Sequence, residues 1–392
     1  MEISIDSVRL IELAESGCRF RLSDDDRSFL SAVLIYQDIP TRAISEADIE
    51  SSEETATLAP QQKISARLLV WLCTDADAVA QIPHWGIRVF NAQIEGLLNL
   101  QYAEIDFPLI FRQCLFTEAI RLECASLPSL DLSGSHLQGS QIIELTGNVT
   151  TAALIATNLQ VEHHVFLMDG FEAAGVVGLS GAKIGGQLNC DGGKFRAATG
   201  YALFAQGAEI GEAVFLRNGF EAAGVVRLSG AKIGGQLNCD GGKFRAATGY
   251  ALFAQGAEIG EAVFLRNGFE AAGVVRLSGA KIGGQLNCSG GKFCNPTRDA
   301  LNADGAEIRE SVFLGGGFQA TGAVRLSGAK IGGQLACSGG TFCNPTRDAL
   351  FAQGAEIRGS VFLDDGFEAV GAVWLQNDVP LGGGMMCASA AK

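Results

Sequence analysis

Residues 222–270 read AAGVVRLSGAKIGGQLNCDGGKFRAATGYALFAQGAEIGEAVFLRNGFE, and residues 173–221 carry the same 49 letters with one change, Gly178 in place of Arg227. Diverged copies continue downstream, so a core isoleucine returns as Ile184, Ile233, Ile282 and Ile331. A fixed period of this kind marks a stacked-repeat protein, in which each unit buries its apolar face only against its neighbours. The period also bears on function. An enzyme needs one constellation at one place, whereas this chain sets out its chemistry-bearing residues as columns.

Each 49-residue unit divides into two similar halves. Residues 207–229 read GAEIGEAVFLRNGFEAAGVVRLS and residues 230–255 read GAKIGGQLNCDGGKFRAATGYALFAQ. Aligned, Ile210 meets Ile233, Val214 and Leu216 meet Leu237 and Cys239, and Val226 and Leu228 meet Leu252 and Ala254. Short apolar-x-apolar pieces between glycine-containing turns read as β-strands, and the density of glycine with no 3.6-residue period excludes helices. One half is therefore one coil of a parallel β-helix. Stacking at the ~4.8 Å strand spacing turns each aligned position into a ladder. An isoleucine ladder and Val/Leu/Cys/Ala ladders run inside. A corner ladder holds Phe195, Phe220, Phe244, Phe269, Phe293, Phe318, Phe342 and Phe367.

Upstream, residues 86–160 follow a shorter cadence, Ala92-Gln-Ile94, Ala103-Glu-Ile105, Ala125-Ser-Leu127 and Ser135-His-Leu137, and are expected to form irregular first coils. Gln61–Cys73 places Ile64, Leu68, Leu69 and Leu72 on one face of a helix, which would cover the open end of the solenoid. Residues 1–85 thus form an acidic, partly helical N-terminal cap region, with Glu46–Thr57 as an exposed loop, and residues 161–392 are the regular array. At the other end, Leu381-Gly382-Gly383 repeats the Ile-Gly-Gly register with one inserted residue, and Pro380 blunts that strand. The chain stops partway through a coil, which reads either as a dimer surface or as a fragment of something longer.

The chain carries 51 Gly, eight Pro and eleven Cys, with a net charge of −14. Most of that charge falls in the first 160 residues, leaving the array nearly neutral. No basic patch suggests nucleic acid or an anionic membrane as partner. The start, Met-Glu-Ile-Ser-Ile-Asp, lacks a signal-peptide pattern, and no apolar run is long enough to span a bilayer. Eleven cysteines without a secretion signal suggest reduced thiols and a cytoplasmic location. Cys190, Cys239, Cys288 and Cys337 are one position copied four times, two coils apart and beyond disulfide reach.

The cadence Ala-x-(Leu/Ile)-x-x resembles pentapeptide-repeat proteins. More closely, VRLSGAKIGGQLNC…NPTRDALNADGAEI…VFL…GF-x-A-x-G resembles a bacterial pentapeptide-like group with the motif RLLGAxIGGxLDLSG…ALNADG. The likeness extends through Ile87–Leu137, including Phe107-Pro108-Leu109 and Cys114, and to Ile64–Cys73. It implies an all-β, right-handed parallel β-helix of quadrilateral coils. Asn189-Cys190 replaces the commoner Asp-Leu, and coils of 23 and 26 residues exceed the strict 20, so rounder or looped coils are expected. Members of the group often carry an oxidoreductase or membrane label, but the resemblance brings no catalytic motif to these positions. Some pentapeptide-repeat relatives mimic DNA and bind DNA gyrase or topoisomerase.

The columns offer little chemistry. Lys183, Glu209, Lys232, Glu258, Lys281, Glu307, Lys330 and Glu356 alternate in sign from coil to coil, which favours the stacking register over acid–base catalysis. The segment GGKF at Gly192–Phe195 is no phosphate loop, because Leu188 stands where glycine is required and no Ser or Thr follows the lysine. No GxGxxG joins a strand to a helix, and no HExxH or CxxC exists. His163-His164 should point one out and one in. His84 and His136 have no partner evident in sequence, and Cys294 and Cys343 sit in an exposed NPTRDAL turn.

Two outward stripes form the candidate interaction surface. One contains Phe166, Phe215, Phe264, Phe313 and Phe362. The other contains Phe204, Arg227, Phe253, Arg276, Arg325, Phe351 and Trp374, with arginines one coil from aromatic rings and within cation–π reach. The expectation is a non-catalytic scaffold or protein-interaction module for an unknown protein partner. No cofactor, metal, nucleic acid or membrane is expected, and a homodimer through the C-terminal coil is the second partner expectation. A DNA mimic is the rival, but about nine to ten coils rise ~45 Å, a length of duplex carrying about 26 negative charges, against a nearly neutral array. An oxidoreductase lacks a cofactor motif.

Overall fold

The computed structural model describes residues 5–17, 20–33 and 62–375. Within them the chain winds into a parallel β-solenoid of about 12 coils with a small N-terminal helical region. The loop expected at Glu46–Thr57, the Pro380 and Leu381–Gly383 register and the chain end lie outside the described residues.

Three sheets run the length of the solenoid. A 12-stranded sheet begins at Ile87–Phe90 and ends at Val361–Phe362, and a 10-stranded sheet begins at Ser126–Leu127 and ends at Glu356–Ile357. The third sheet carries two short strands per coil at first, as in Ala92–Glu95 and Leu98–Asn99. In the array these merge into one long strand such as Lys194–Phe204. Registers match the sequence alignment: Ile210 pairs with Ile233, Val214 with Leu237 and Val226 with Leu252. The interior is apolar and continuous, because the inward residues of the stacked parallel strands are apolar.

The longer coils differ from the shorter ones in one place. Lys194–Arg196 pairs in register with Glu221–Ala223, and Leu203–Phe204 with Val226–Arg227, while the residues between bulge outward. The looped coils expected from their length are found here. In the array these bulges, AATG at residues 197–200 and 246–249, become NPTR at 295–298 and 344–347.

The corner phenylalanines stack with ring centroids 5.1–5.3 Å apart, and the column begins one coil earlier than expected, at Phe171. Their backbones, however, are not in one register. Phe195 pairs with Ala222 and Phe244 with both Ala222 and Ala271, while Phe220 and Phe269 enter from the preceding turn. Small alanines leave the space that the turn rings fill.

Three sequence expectations change. The helix begins later than expected: Gln62–Ser65 is a strand pairing with Ala92–Glu95, and only Ala66–Thr74 is helical. Ile64, Leu68, Leu69 and Leu72 are all buried, but Ile64 is buried as the first rung of the solenoid. Two further helices, α1 (Ile5–Gly17) and α2 (Asp24–Val33), pack on this end. Second, the irregular coils contain an antiparallel hairpin, Gln141–Leu145 with Asn148–Ile155, whose second strand rejoins the parallel pattern at Ala152–Ile155. Third, the Ala-x-(Ile/Leu) cadence marks two different corners: Ile94 and Leu137 belong to the third sheet, and Leu127 to the 10-stranded one.

The solenoid's first edge is closed by carboxylates. The α2 residues Asp25 and Asp26 accept the backbone N–H groups of Lys63 and Ser65, each at 2.9 Å, on the side of the strand away from its neighbour. Asp26 is itself buried and shares a capping box with Ser23: the Asp26 N–H donates to Ser23 Oγ at 3.0 Å and the Ser23 N–H to Asp26 Oδ2 at 3.0 Å. An exposed strand edge would otherwise invite pairing with another chain.

Candidate functional site

The 10-stranded sheet presents two outward columns. One is the alternating Lys/Glu column; two residues further along each strand stands Gly185, Gly211, Gly234, Gly260, Gly283, Arg309, Gly332 or Arg358. Glycine is required at most of these rungs by close approach. A Cβ on Gly234 would lie 2.0 Å from the carbonyl oxygen of Gly211, and one on Gly283 2.0 Å from that of Gly260. With side chains missing from that column, the sheet surface sinks into a trough of about 1400 Å³, running from Ile105 and Asp106 to Arg358.

The Lys/Glu column forms the ion pairs expected of it. Lys281 Nζ lies 2.9 Å from Glu258, Lys330 3.2 Å from Glu307, and Lys183 and Lys232 each 3.8 Å from Glu209. The hydrogen bond between Lys281 and Glu258, aided by their opposite charges, raises the lysine pKa and lowers that of the glutamate. These side chains are well exposed, so the pairs set register more than they add stability. In sequence the column signals register alone; that it also walls a trough follows from the neighbouring glycines, whose absent side chains leave only the Ile-Gly-Gly triplet as a signal.

A second charge ladder, not evident from the sequence alignment, runs on the third sheet. Glu172, Lys194, Glu221, Lys243, Glu270 and Lys292 alternate on the third sheet, with Lys194 3.1 Å from Glu172 and Lys243 3.8 Å from Glu221. Lysine precedes the corner phenylalanine in one coil and glutamate follows it in the next, which hid the alignment.

The aromatic stripes are largely covered by their own neighbours. Phe166, Phe215, Phe264, Phe313 and Phe362 are half-buried. Arg217 lies 4.2 Å over the ring of Phe215 and Arg266 4.2 Å over that of Phe264, held there by Asp191 and Asp240. At Phe313 the covering position is Gly315, and among the described residues no arginine lies over the ring. In the second stripe, Arg227 sits 5.6 Å from Phe204 and 5.0 Å from Phe253, Arg276 5.7 Å from Phe253, and Arg325 5.2 Å from Phe351. The cation–π alternation is as expected. Phe204 lies outside the main core, as expected of an outward ring, but it is covered: it is buried with Ala152, Ile155 and Val176, where Ile143 and Leu145 of the hairpin pack over it. Trp374 is exposed, and its Nε1 donates to Asp348 at 2.8 Å.

The remaining reactive residues are placed as follows. Cys190, Cys239, Cys288 and Cys337 are fully buried, and desolvation drives their thiols far above the ordinary range, so they behave as small apolar side chains. Burial also pushes Cys73 and Cys114 up to about 12. Cys294 is exposed and Cys343 half-buried. Contrary to simple alternation, neither histidine of the adjacent pair enters the core: His163 is exposed, and His164 is half-buried with Nδ1 accepting the Gln187 N–H at 3.1 Å. His84 and His136 are exposed. Among the described residues, no cluster of three His, Cys, Asp or Glu side chains is placed to hold a metal ion, and no helix is long and apolar enough to cross a membrane.

No protein-family model, curated protein or solved structure matches this chain.

Proposed function

We propose that this protein is a non-catalytic scaffold of the pentapeptide-repeat-like kind, whose array offers a protein partner one long, rigid surface. The observation that carries this reading is the trough. It is built by the repeat itself, it crosses rung after rung from Ile105 to Arg358, and its alternating charged wall lies beside bare backbone. A ligand that meets the same residues at every rung gains extent and register, which suits an elongated partner better than a single reacting atom. The half-covered phenylalanine stripe on the adjacent 12-stranded sheet is a second surface that such a partner could reach.

Affinity capture from the native host, with the full chain as bait, tests the proposal. Lys232→Ala, Lys281→Ala and Lys330→Ala together remove the basic wall from exposed positions, and Phe215→Ser, Phe264→Ser and Phe313→Ser together remove the aromatic stripe. The lysine set is expected to lose the captured partner while keeping a wild-type circular dichroism spectrum. Loss with the phenylalanine set alone would move the contact to the stripe. Capture unaffected by either set, or none by the wild type, overturns the reading.

A further inference from the structure

The array's periodicity breaks where the AATGY bulge gives way to NPTRD, and a cavity of about 210 Å³ opens at that step. Tyr250 is the last tyrosine of its column, and Asp299 takes the equivalent place two coils on. Arg298 and Arg347 replace glycines, and the cavity is lined by both together with Tyr250, Arg276, Asp299 and Asn302. The Arg298 guanidinium reaches back along the array, so that a Cβ on Gly249 would lie 3.5 Å from its Nη1.

Charge is unbalanced here. Three guanidinium groups meet one carboxylate, and that one, Asp299, already accepts from Asn302 Nδ2 at 2.9 Å. Of the carboxylates outside the lining, Asp304 is paired with Arg325 at 2.9 Å, and Asp348 accepts from the neutral Trp374 N–H and keeps its charge. By contrast Arg217, Arg266 and Arg325 each have an aspartate within 2.9 Å. Among the described residues, Arg276, Arg298 and Arg347 have no carboxylate within ion-pair distance, in a chain whose net charge is −14.

Arg276 also departs from its repeat copy. Arg227 donates from Nε to Ser229 Oγ at 2.9 Å, but at the next copy Ser278 Oγ donates to Asn302 Oδ1 at 2.6 Å, and the buried Nε of Arg276 makes no hydrogen bond. A buried donor left without an acceptor is costly. Arg276 Nη1 meets the Tyr250 hydroxyl oxygen at 3.2 Å, which leaves the phenolic proton free to donate.

We propose that this cavity binds a phosphate dianion, either free or as the head of a small phosphomonoester. Guanidinium forks match phosphate oxygens, and charge-assisted bonds of this type are the strong ones. Arg298 and Arg347 close on the anion from the bulges, while Arg276 and the Tyr250 hydroxyl meet it from the strand side. At about 210 Å³ the cavity has room for a phosphoryl group together with a small substituent.

Isothermal titration of the full chain at constant ionic strength tests this, with inorganic phosphate, pyrophosphate and glycerol phosphate as probes and glycerol as the neutral control. The wild type is expected to give saturable binding of the phosphate probes and none of glycerol. Preference between inorganic phosphate and glycerol phosphate identifies the source. Arg298→Ala with Arg347→Ala, both at exposed positions, is expected to weaken binding by at least about tenfold, and Tyr250→Phe by less. Arg309→Ala with Arg358→Ala, two arginines of the trough, serves as control and is expected to leave it unchanged. No saturable binding up to roughly 10 mM probe, or equal binding by the Arg298/Arg347 variant, overturns the proposal.

Discussion

Asp169 stands where the repeats use Asn218 and Asn267, and all three adopt the same left-handed backbone, with φ of 52°. Asparagine tolerates that conformation well and carries no charge. The aspartate does carry one, and loss of solvent, then Asp131, pushes its carboxyl pKa up, against an opposing pull from Arg112. A raised carboxylate pKa means that the ionised form opposes folding above that pKa, and the penalty fades as the pH falls through it. Asp169 is exposed, so solvent screens much of that penalty, and Asp169→Asn is expected to raise the melting temperature at neutral pH by about 1 °C or less. The gain should shrink to nothing in acid, and thermal melts across that range check both halves. The isoleucine and cysteine ladders were legible at this scale because an inward position must be apolar in every copy. The place of His163 and the covering of Phe204 were not. Alternation holds along a strand but fails at the turn that follows Val161, and it cannot register a hairpin folding over Phe204.

At the scale of the element, the N-terminal edge shows what closes a solenoid. The amphipathic pattern of Gln61–Cys73 located a cap, but the first four described residues of that stretch are strand, because their backbone has Ala92–Glu95 to pair with. Periodicity alone does not distinguish a helix start from a last rung, since both need Ile64 inward. What stabilises the outer side of that rung is the pair of α2 aspartates. Asp26→Ala removes a capping box and leaves the Ser65 N–H without its acceptor, and the expected cost is about 2 kcal/mol. Chemical denaturation of the variant measures it. Asp26→Asn, which keeps an acceptor oxygen, should recover part of the loss. The trough was hidden for a related reason. Sequence shows that glycine recurs, but only the coil-to-coil approach of the Gly234 Cα to the Gly211 carbonyl shows that the recurrence empties a surface.

Across the whole molecule, the unit of construction is two coils. Both charge ladders alternate with that period, as do the phenylalanine and asparagine of the 12-stranded sheet. Deleting residues 222–270 removes one complete unit and is expected to leave a folded solenoid shorter by about 10 Å, measurable by small-angle scattering. Deleting only residues 230–255 brings Glu209 against Glu258 and Glu221 against Glu270. That shorter deletion is expected to melt well below the two-coil one, although it removes fewer residues. Equal melting temperatures would mean that the ladders do not set register. Most of this architecture could be read from the 49-residue copy, since repetition makes each inference testable against its neighbour. The phosphate cavity could not, because it lies where the copies stop agreeing.

The phenylalanine column has a further consequence. Its rings keep a 5.1–5.3 Å step although alternate coils deliver them from different backbone positions, one from within a strand and one from the turn before it. It therefore works as a splice joint. A newly inserted coil need only present one ring at that corner to be joined to the stack, whatever the length of its own turn. Coils of 23 and 26 residues can then share a single seam, and the bulges are left free to diversify without disturbing it.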